Sequence, residues 1–301
     1  MLQVSQHQAL LRLTFVIHGY VHPSGAALAG LDSLAFLRAM PMAISLNITD
    51  QVKAFFTEIG EVSYFAGRFF KEALKPPIEF KELLRQCYQM GNRSLVLVGV
   101  TGFILGLVLT LQTRPTLIEF GAVSWMPNMI SISIVREMGP MITALICAGR
   151  IASGIGAELG SMRVTEQIDA MEVSGTNPFK YLVVTRILAT TLMLPLLVIM
   201  GDAIALFGSA LVENFKGSVS FQLYFNIVFD ALEFGDLVPA TIKSFFFGFA
   251  IGLVGCFKGY YSKKGTAGVG VAANTAVVFA SMLLFFLDFM AVFISDIFYE
   301  L

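Results

Sequence analysis

SLVLVGVTGFILGLVLTLQ, residues 94–112, is a run without a single charged side chain. The hydrocarbon core of a bilayer is about 30 Å thick, and a helix needs roughly 20 apolar residues to cross it. Four further stretches are long and apolar enough, although each carries one to three charged residues: residues 125–151, 183–212, 238–257 and 269–298. The sequence therefore predicts an all-α integral membrane protein, with a five-helix transmembrane domain over residues 94–301.

The composition agrees with this fold class and excludes several functions. Hydrophobic residues make up 56% of the 301 positions and charged residues only 14%, against about 25% charged in soluble domains. A formal net charge of −1 gives no support for nucleic-acid binding, which needs a basic surface. The three histidines all lie within the first 22 residues. A His-based metal or catalytic centre in the body of the chain is therefore excluded, and we expect no catalytic residues and no metal site.

Lysine and arginine are concentrated in alternate connections, which indicates the orientation. Between Asp50 and Arg93, just ahead of the first span, there are seven: Lys53, Arg68, Lys71, Lys75, Lys81, Arg85 and Arg93. The second-to-third connection contains Arg163 and Lys180, and the fourth-to-fifth contains Lys258, Lys263 and Lys264. The first-to-second connection has only Arg114, and the third-to-fourth has only Lys216. The bias predicts an N-terminus inside the cell and a C-terminus outside it.

Two amphipathic segments precede the first span. Residues 50–74 repeat apolar side chains at helical spacing, end at Lys75-Pro76-Pro77, and are followed by a second such segment at 78–90. Aromatic-rich apolar faces with cationic flanks are typical of helices that lie in the membrane interface, so residues 46–93 are predicted to be interfacial. The alternative is an ordinary helix of a soluble domain. Residues 1–45 form a poorly defined N-terminal extension, unless translation starts near Met40.

The second-to-third connection contains TEQIDAME at residues 165–172. Thr165 is a suitable N-cap, Gly175 a suitable C′ residue, and Pro178 blocks continuation. This pattern predicts a short acidic helix on the inner surface, shaped to enter a groove on a cytoplasmic partner. The alternative is a surface helix that simply joins two spans.

Three motifs around this helix carry a family resemblance. They are REMGP at 136–140, AGR-x-x-S-G-x-x-AE-x-GSMR-x-TEQIDAM at 148–171, and Asn177-Pro178. With these motifs the chain resembles the MlaE/YrbE-type permeases of MCE (mammalian-cell-entry) lipid-transport systems, from about Pro76 to the C-terminus.

The resemblance implies a bacterial inner-membrane subunit that works as a homodimer and moves phospholipids between that membrane and the cell envelope. Its implied partners are a separate cytoplasmic ABC ATPase, an MCE-domain substrate-binding protein outside, and a small cytoplasmic regulator. ATP would be bound by the partner, since the chain contains no G-x-x-x-x-G-K-[ST] loop. The chain itself is then non-catalytic and needs no cofactor. The N-terminus would be cytoplasmic and the C-terminus periplasmic.

The resemblance also implies the positions of two sites. The residues expected to contact the ATPase are Glu166, Gln167, Asp169, Met171 and Glu172. The candidates for a lipid cavity near the outer ends of the first two spans are Leu109, Thr116, Leu117, Phe120 and Met138. Arg114 in the outer connection is expected to be a solvated anchor, or else to meet a lipid phosphate.

Arg136 and Glu137 have two open interpretations. Charges at bilayer depth usually face a cavity or a bundle interior. In the first interpretation, Arg136 and Glu137 contact a lipid headgroup or a partner beside the lipid path. In the second, they pair with other buried charges such as Asp202, Lys243 or Asp288.

Three other functions remain to be compared with the phospholipid permease. An ABC permease for another hydrophobic cargo, such as a sterol, fits the same pattern. An ion-driven secondary transporter would show pseudo-symmetric halves, and five spans without visible repeats fit it poorly. An intramembrane enzyme would need clustered nucleophile, base or metal-binding residues within the spans.

Overall fold

The computed structural model describes residues 48–76, 79–216, 219–263 and 265–299. The predicted extension at 1–45 and the late start near Met40 lie outside the described residues. Contacts divide the chain into two units, Met1–Thr57 and Glu58–Leu301. The described ranges form helices and no strand, and the helices are α1 (Ile48–Ala73), α2 (Phe80–Glu119), α3 (Val123–Val164), α4 (Gln167–Val173), α5 (Phe179–Phe215), α6 (Phe221–Ala231), α7 (Phe234–Tyr260) and α8 (Thr266–Tyr299).

Five of these helices, α2, α3, α5, α7 and α8, are long and apolar enough to cross a membrane. They cover the five stretches predicted from hydropathy, so the all-α fold class and the number of spans are confirmed. The spans are not uniform α-helices, because α3 contains π-helical turns at Ile134–Met138 and Ala148–Ala152 and α5 begins with one at Phe179–Val184.

The first amphipathic segment forms α1 as predicted, but the second is not a separate helix. Residues 78–90 were expected to lie in the interface by themselves, whereas the structure continues residues 80–90 into the first span as part of α2. No proline or turn sequence separates Met90 from Ser94. Gly91 does not interrupt the helix, and the Met193 side chain of α5 covers it.

Helix α5 packs against α2, α3 and α7 and so lies at the centre of the bundle. Glycines allow the closest approaches. A Cβ added at Gly106 of α2 would lie 1.9 Å from the Ala205 carbonyl oxygen, and one at Gly248 of α7 would lie 2.6 Å from the Thr190 carbonyl oxygen. The Gly102/Gly106 and Gly248/Gly252 pairs are therefore packing faces, as their GxxxG spacing predicts.

A chain of hydroxyl groups joins three helices near the end of the bundle where α2 and α5 finish. Tyr224 of α6 donates to Ser209 Oγ of α5 at 2.8 Å, and Ser209 Oγ lies 2.7 Å from Thr110 Oγ1 of α2. Thr110 donates in turn to the Gly106 carbonyl oxygen. Burial raises the pKa of Tyr224 to about 12, so this phenol keeps its proton for the hydrogen bond.

Arg114 is neither a solvated anchor nor a lone headgroup ligand. Its Nη1 atom lies 2.8 Å from Glu213 Oε1 of α5, and the Glu213 side chain has no solvent exposure. A buried carboxylate is costly without a counter-charge, so the arginine near the end of α2 is held against α5. The expectation was wrong because Glu213 lies 99 residues away in the chain.

Replacing Gly106 with alanine should destabilise the bundle. The new methyl group would overlap the Ala205 carbonyl, and overpacking of this kind costs about 1–3 kcal/mol. Thermal unfolding of the purified protein in detergent measures the loss as a lower Tm. Gly67→Ala on the exposed face of α1 is the matched control, because no atom lies within 4 Å of its added Cβ, and it should leave the Tm unchanged or raise it. Equal melting temperatures for the two variants would contradict the close approach.

Candidate functional site

Helix α4 projects from the end of the bundle where α3 finishes and α5 begins. Ile168 anchors it, with only 1% of its surface exposed, and belongs to the core cluster that contains Phe179 and Tyr260. Arg163 forms an ion pair with Asp169 and so links the end of α3 to the first turn of α4. The helix therefore has a fixed apolar underside instead of hanging as a free loop.

The termini of α4 differ in part from the prediction. Thr165 was expected to be its N-cap, but its hydroxyl donates back to the Ser161 carbonyl at the end of α3. The N-cap position is Glu166, which has a left-handed backbone with φ of 58° and makes no side-chain cap. Gly175 is confirmed as the C′ residue, with φ of 80°. Its N–H bonds to the Glu172 carbonyl, as a Schellman ending requires.

The outward surface of α4 is acidic and apolar. Glu166, Gln167 and Glu172 are exposed, and Val173 is 91% exposed. The other two predicted coupling residues have contacts within the chain: Asp169 pairs with Arg163, and the half-buried Met171 packs against the core. The structure thus separates the predicted set into a projecting group and a supporting group.

The C-terminal part of α1 is attached to the same end of the bundle. The Phe65 ring is buried, with its centroid 5.0 Å from that of Phe179 and 5.6 Å from that of Phe257. Asn177, in the connection after α4, donates to Glu72 Oε2 at 3.2 Å. The α3–α5 connection, α1 and the α7–α8 connection therefore meet at one end, as the distribution of cations predicts.

Arg136 and Glu137 lie on the first π-helical turn of α3, in the opposite half of the bundle. Lys243 of α7 lies 2.7 Å from Glu137 Oε2 and 2.9 Å from Asp288 Oδ1 of α8, and only 6% of its side chain is exposed. Arg136 lies 3.9 Å from Asp236 at the start of α7. Ion pairing thus accounts for Glu137, while the Arg136 side chain remains 40% exposed.

Asp202 does not join this network. It was considered as a partner for Arg136 or Glu137, but its Oδ1 atom packs against Gly139 and is buried without a hydrogen-bond partner in the described part of the chain. Glycine at 139 leaves the space, since a Cβ there would lie 1.7 Å from that oxygen.

The predicted lipid-lining residues are divided between two environments. Leu117 is buried in a core cluster with Ala205, and Leu109 packs against the same cluster. Thr116 is exposed, as are Phe120 at 78% and Met138 at 44%. The structure therefore does not bring the five onto one surface, because Leu109 and Leu117 face α5 and α6.

Near Lys243, a cavity of about 410 Å³ opens between α7 and α8. It has mostly apolar walls, with Phe246 and Met290 among the lining residues, and Lys243 supplies the charge. Sequence reasoning named Lys243 as an ion-pair partner but missed the cavity, and it also missed Asp236 as the partner of Arg136. The acidic residues between the third and fourth spans were the available signal for Asp236.

Comparison with known proteins places these features in a family. The family model "Permease MlaE" matches residues 83–294. A probable ABC transporter permease protein of Rickettsia felis is 34% identical over 261 residues, which cover 87% of this chain and all of the relative. The intermembrane phospholipid transport system permease protein MlaE of Haemophilus influenzae is 33% identical over 79% of this chain and 92% of its own length.

A plant protein is also similar: TRIGALACTOSYLDIACYLGLYCEROL 1 of Arabidopsis thaliana, which is chloroplastic, is 31% identical over 79% of this chain. These relatives favour an ABC permease over an ion-driven carrier or an intramembrane enzyme. A permease of this kind is the non-catalytic membrane subunit, and it works with an ATPase and a substrate-binding partner. The chain belongs to the MlaE permease family and is a multi-pass inner-membrane subunit of an ABC transporter.

Proposed function

We propose that two copies of this chain form a permease that moves phospholipids between the inner membrane and the cell envelope. A cytoplasmic ABC ATPase docks on α4 and drives the movement. An MCE-domain protein receives or delivers the lipid on the outer side, and a small cytoplasmic regulator completes the assembly. The cargo assignment is supported by the similarity to a Haemophilus permease that is named for intermembrane phospholipid transport. The similarity covers 92% of the Haemophilus protein.

The orientation rests on charge. The end of the bundle that contains α1, α4 and the α7–α8 connection also contains most of the lysines and arginines of the connections. Positive connections are retained in the cytoplasm. This end is therefore the cytoplasmic one, with a cytoplasmic N-terminus and a periplasmic C-terminus.

The ATPase contact rests on the shape of α4. Its acidic and apolar outer surface, formed by Glu166, Gln167, Glu172 and Val173, is exposed, while Ile168 holds the opposite side in the core. A projecting group on a fixed base can pass a displacement to α5 and α7, which border the same cluster. Asp169 and Met171 contribute by holding the helix in place.

The lipid path is proposed for the opposite half of the bundle. Arg136 is partly exposed beside the buried Lys243 network, and a guanidinium is well suited to bind a phosphate. Met138, Thr116 and Phe120 present exposed side chains in the same half, while Leu109 and Leu117 support α2 from within. A sterol-like cargo would use the apolar surface without needing Arg136.

The orientation predicts which side of the membrane reaches α4. A Glu166→Cys variant in a Cys87→Ser background should react with a membrane-impermeant maleimide in inside-out vesicles and stay unlabelled in intact spheroplasts. The two remaining cysteines, Cys147 and Cys256, are buried and serve as the unreactive background. Labelling from outside would overturn the topology and the ATPase docking together.

The docking surface predicts a charge-reversal effect. Glu166→Lys combined with Glu172→Lys should reduce co-purification of the cognate ATPase at least tenfold, because close charge pairs across an interface are worth about 1.5 kcal/mol or more each. Glu79→Lys with Glu61→Lys carries the same charge change on exposed residues elsewhere and should leave the complex intact. Equal ATPase recovery from both double variants would rule out α4 as the docking element.

Arg136 predicts the cargo chemistry. In vesicles containing the whole complex, ATP should drive exchange of a fluorescent phospholipid, but not of a fluorescent sterol, with the MCE-domain protein. Arg136→Gln should lower that exchange about tenfold, since hydrogen bonds to charged groups contribute about 1.5–3 kcal/mol.

Lys216→Gln, an exposed cation at the same end, is the control for loss of one positive charge. Melting temperatures of both variants should match that of the unmodified protein. Full phospholipid exchange by Arg136→Gln would remove the headgroup role, and sterol exchange in place of phospholipid exchange would favour the alternative cargo.

A further inference from the structure

A polar crevice between α2 and α3 lies in the half of the bundle that contains α4. Its volume is about 400 Å³, within the range of small-molecule sites. The walls come from the first third of α2 and the last third of α3, and they include Arg93, Ser94, Arg150, Gly154 and Glu158. None of the sites described above uses this crevice.

The crevice has a net positive charge. Arg93 and Arg150 are exposed within it, and in the described part of the chain neither has a carboxylate within ion-pair distance. Glu158 is the acid among the lining residues, and it lies 2.8 Å from Arg186, which is 2% exposed. Because that pair is neutral, the charges of Arg93 and Arg150 remain uncompensated.

The floor of the crevice contains a buried hydroxyl group without a partner. Ser94 is 1% exposed, and its Oγ atom has no hydrogen bond in the described residues. A buried polar atom left unsatisfied costs about 1–3 kcal/mol. An oxygen-bearing anion in the crevice would accept that hydrogen bond while its charge met the two arginines.

The depth of the crevice indicates a lipid. Arg93 immediately precedes the uncharged run at 94–112, and Arg150 lies at the end of the second apolar stretch. Helices α2 and α3 follow one another across the membrane in opposite directions, so both arginines lie at the same boundary of the hydrocarbon. Lipid phosphates occupy that level, and Met90 and Ile155 in the crevice wall suit the start of an acyl chain better than water.

We propose that the α2–α3 crevice binds the phosphate of a phospholipid headgroup in the cytoplasmic leaflet. Arg93 and Arg150 contact the phosphate oxygens, and Ser94 donates a hydrogen bond to one of them. The crevice is a second headgroup site, at the opposite end of the bundle from Arg136. The proposal depends on the proposed function only for the orientation that makes this leaflet the cytoplasmic one, because headgroup binding itself requires no ATPase.

Lipid binding to the full-length protein tests this site. The purified, delipidated chain would be titrated with palmitoyl-oleoyl-phosphatidylglycerol, and the bound lipids counted by native mass spectrometry. Arg93→Gln combined with Arg150→Gln should weaken the tightest binding step at least tenfold, because each arginine contributes a charge-assisted hydrogen bond. The matched control is Lys81→Gln with Arg85→Gln, which removes two exposed cations from α2 outside this crevice and should leave that step unchanged. Equal weakening in the two double variants would reduce the effect to general surface charge and overturn the site.

Ser94→Ala separates binding from folding. Removing an unpartnered hydroxyl should leave the Tm of the lipid-free protein unchanged or slightly higher, while it weakens phosphatidylglycerol binding about tenfold. Unchanged lipid affinity in this variant would contradict a headgroup contact, even if the double arginine variant proved unstable.

Two further probes identify the ligand. The corresponding diacylglycerol, which has the same acyl chains without a phosphate, should bind no better to the unmodified protein than to the double arginine variant. Inorganic phosphate in large excess should fail to displace the lipid; complete displacement would assign the crevice to a free anion and overturn the lipid assignment. If ATP-driven exchange were absent while headgroup binding at the crevice stayed normal, the result would count against the proposed function alone. If exchange stayed normal while headgroup binding at the crevice were absent, the result would count against this site alone.

Discussion

Glu213 and Lys243 have almost no solvent exposure, yet each lies within 3 Å of an opposite charge on another helix. Hydrocarbon offers no hydrogen-bond partner, so a charge within a span must be matched by protein or water. Arg114 and Glu213 thereby join α2 to α5, and Lys243 joins α7 to α3 and α8 through Glu137 and Asp288. These pairs restrict how the helices slide along one another, because a shift of one turn would leave a charge unmatched. The rest of the bundle is built within that restriction.

Close backbone contact fills the space between the charged pairs. Lipid chains are as apolar as leucine, so the hydrophobic effect does not drive helices together within a membrane. Close van der Waals packing stabilises their association instead. Gly106 and Gly248 bring α2 and α7 against the backbone of α5, which makes α5 the common neighbour of the spans. At the end that contains α4, the cluster of Phe65, Phe179 and Phe257 joins α1, α5 and α7. A displacement of α4, which is anchored in that cluster by Ile168, would therefore reach the central helix directly.

Sequence reasoning succeeded where the signal is local. Apolar length predicted the five spans, the proline run predicted the end of α1, and Gly175 predicted the end of α4. It failed where a residue depends on something distant or on backbone geometry. Thr165 turns back onto α3 instead of capping α4, and the second amphipathic segment continues into α2. Of the residues proposed to bind lipid, Leu109 and Leu117 face the interior, because only the packed bundle determines which side of α2 meets α5.

The chain's hydropathy by itself determined that five helices cross the membrane, and its motifs determined the family, since apolar length and residue order are properties of the sequence alone. Tertiary structure decided which charges are matched: Glu213 with Arg114, Asp236 with Arg136, and no carboxylate in the described residues for Arg93 or Arg150. Those pairings depend on which helices are neighbours and on the relative depth of those helices in the membrane. The paired residues are about 100 positions apart, so the local sequence around each one does not indicate its partner. The same dependence leaves a positively charged crevice between α2 and α3 that the order of residues did not reveal.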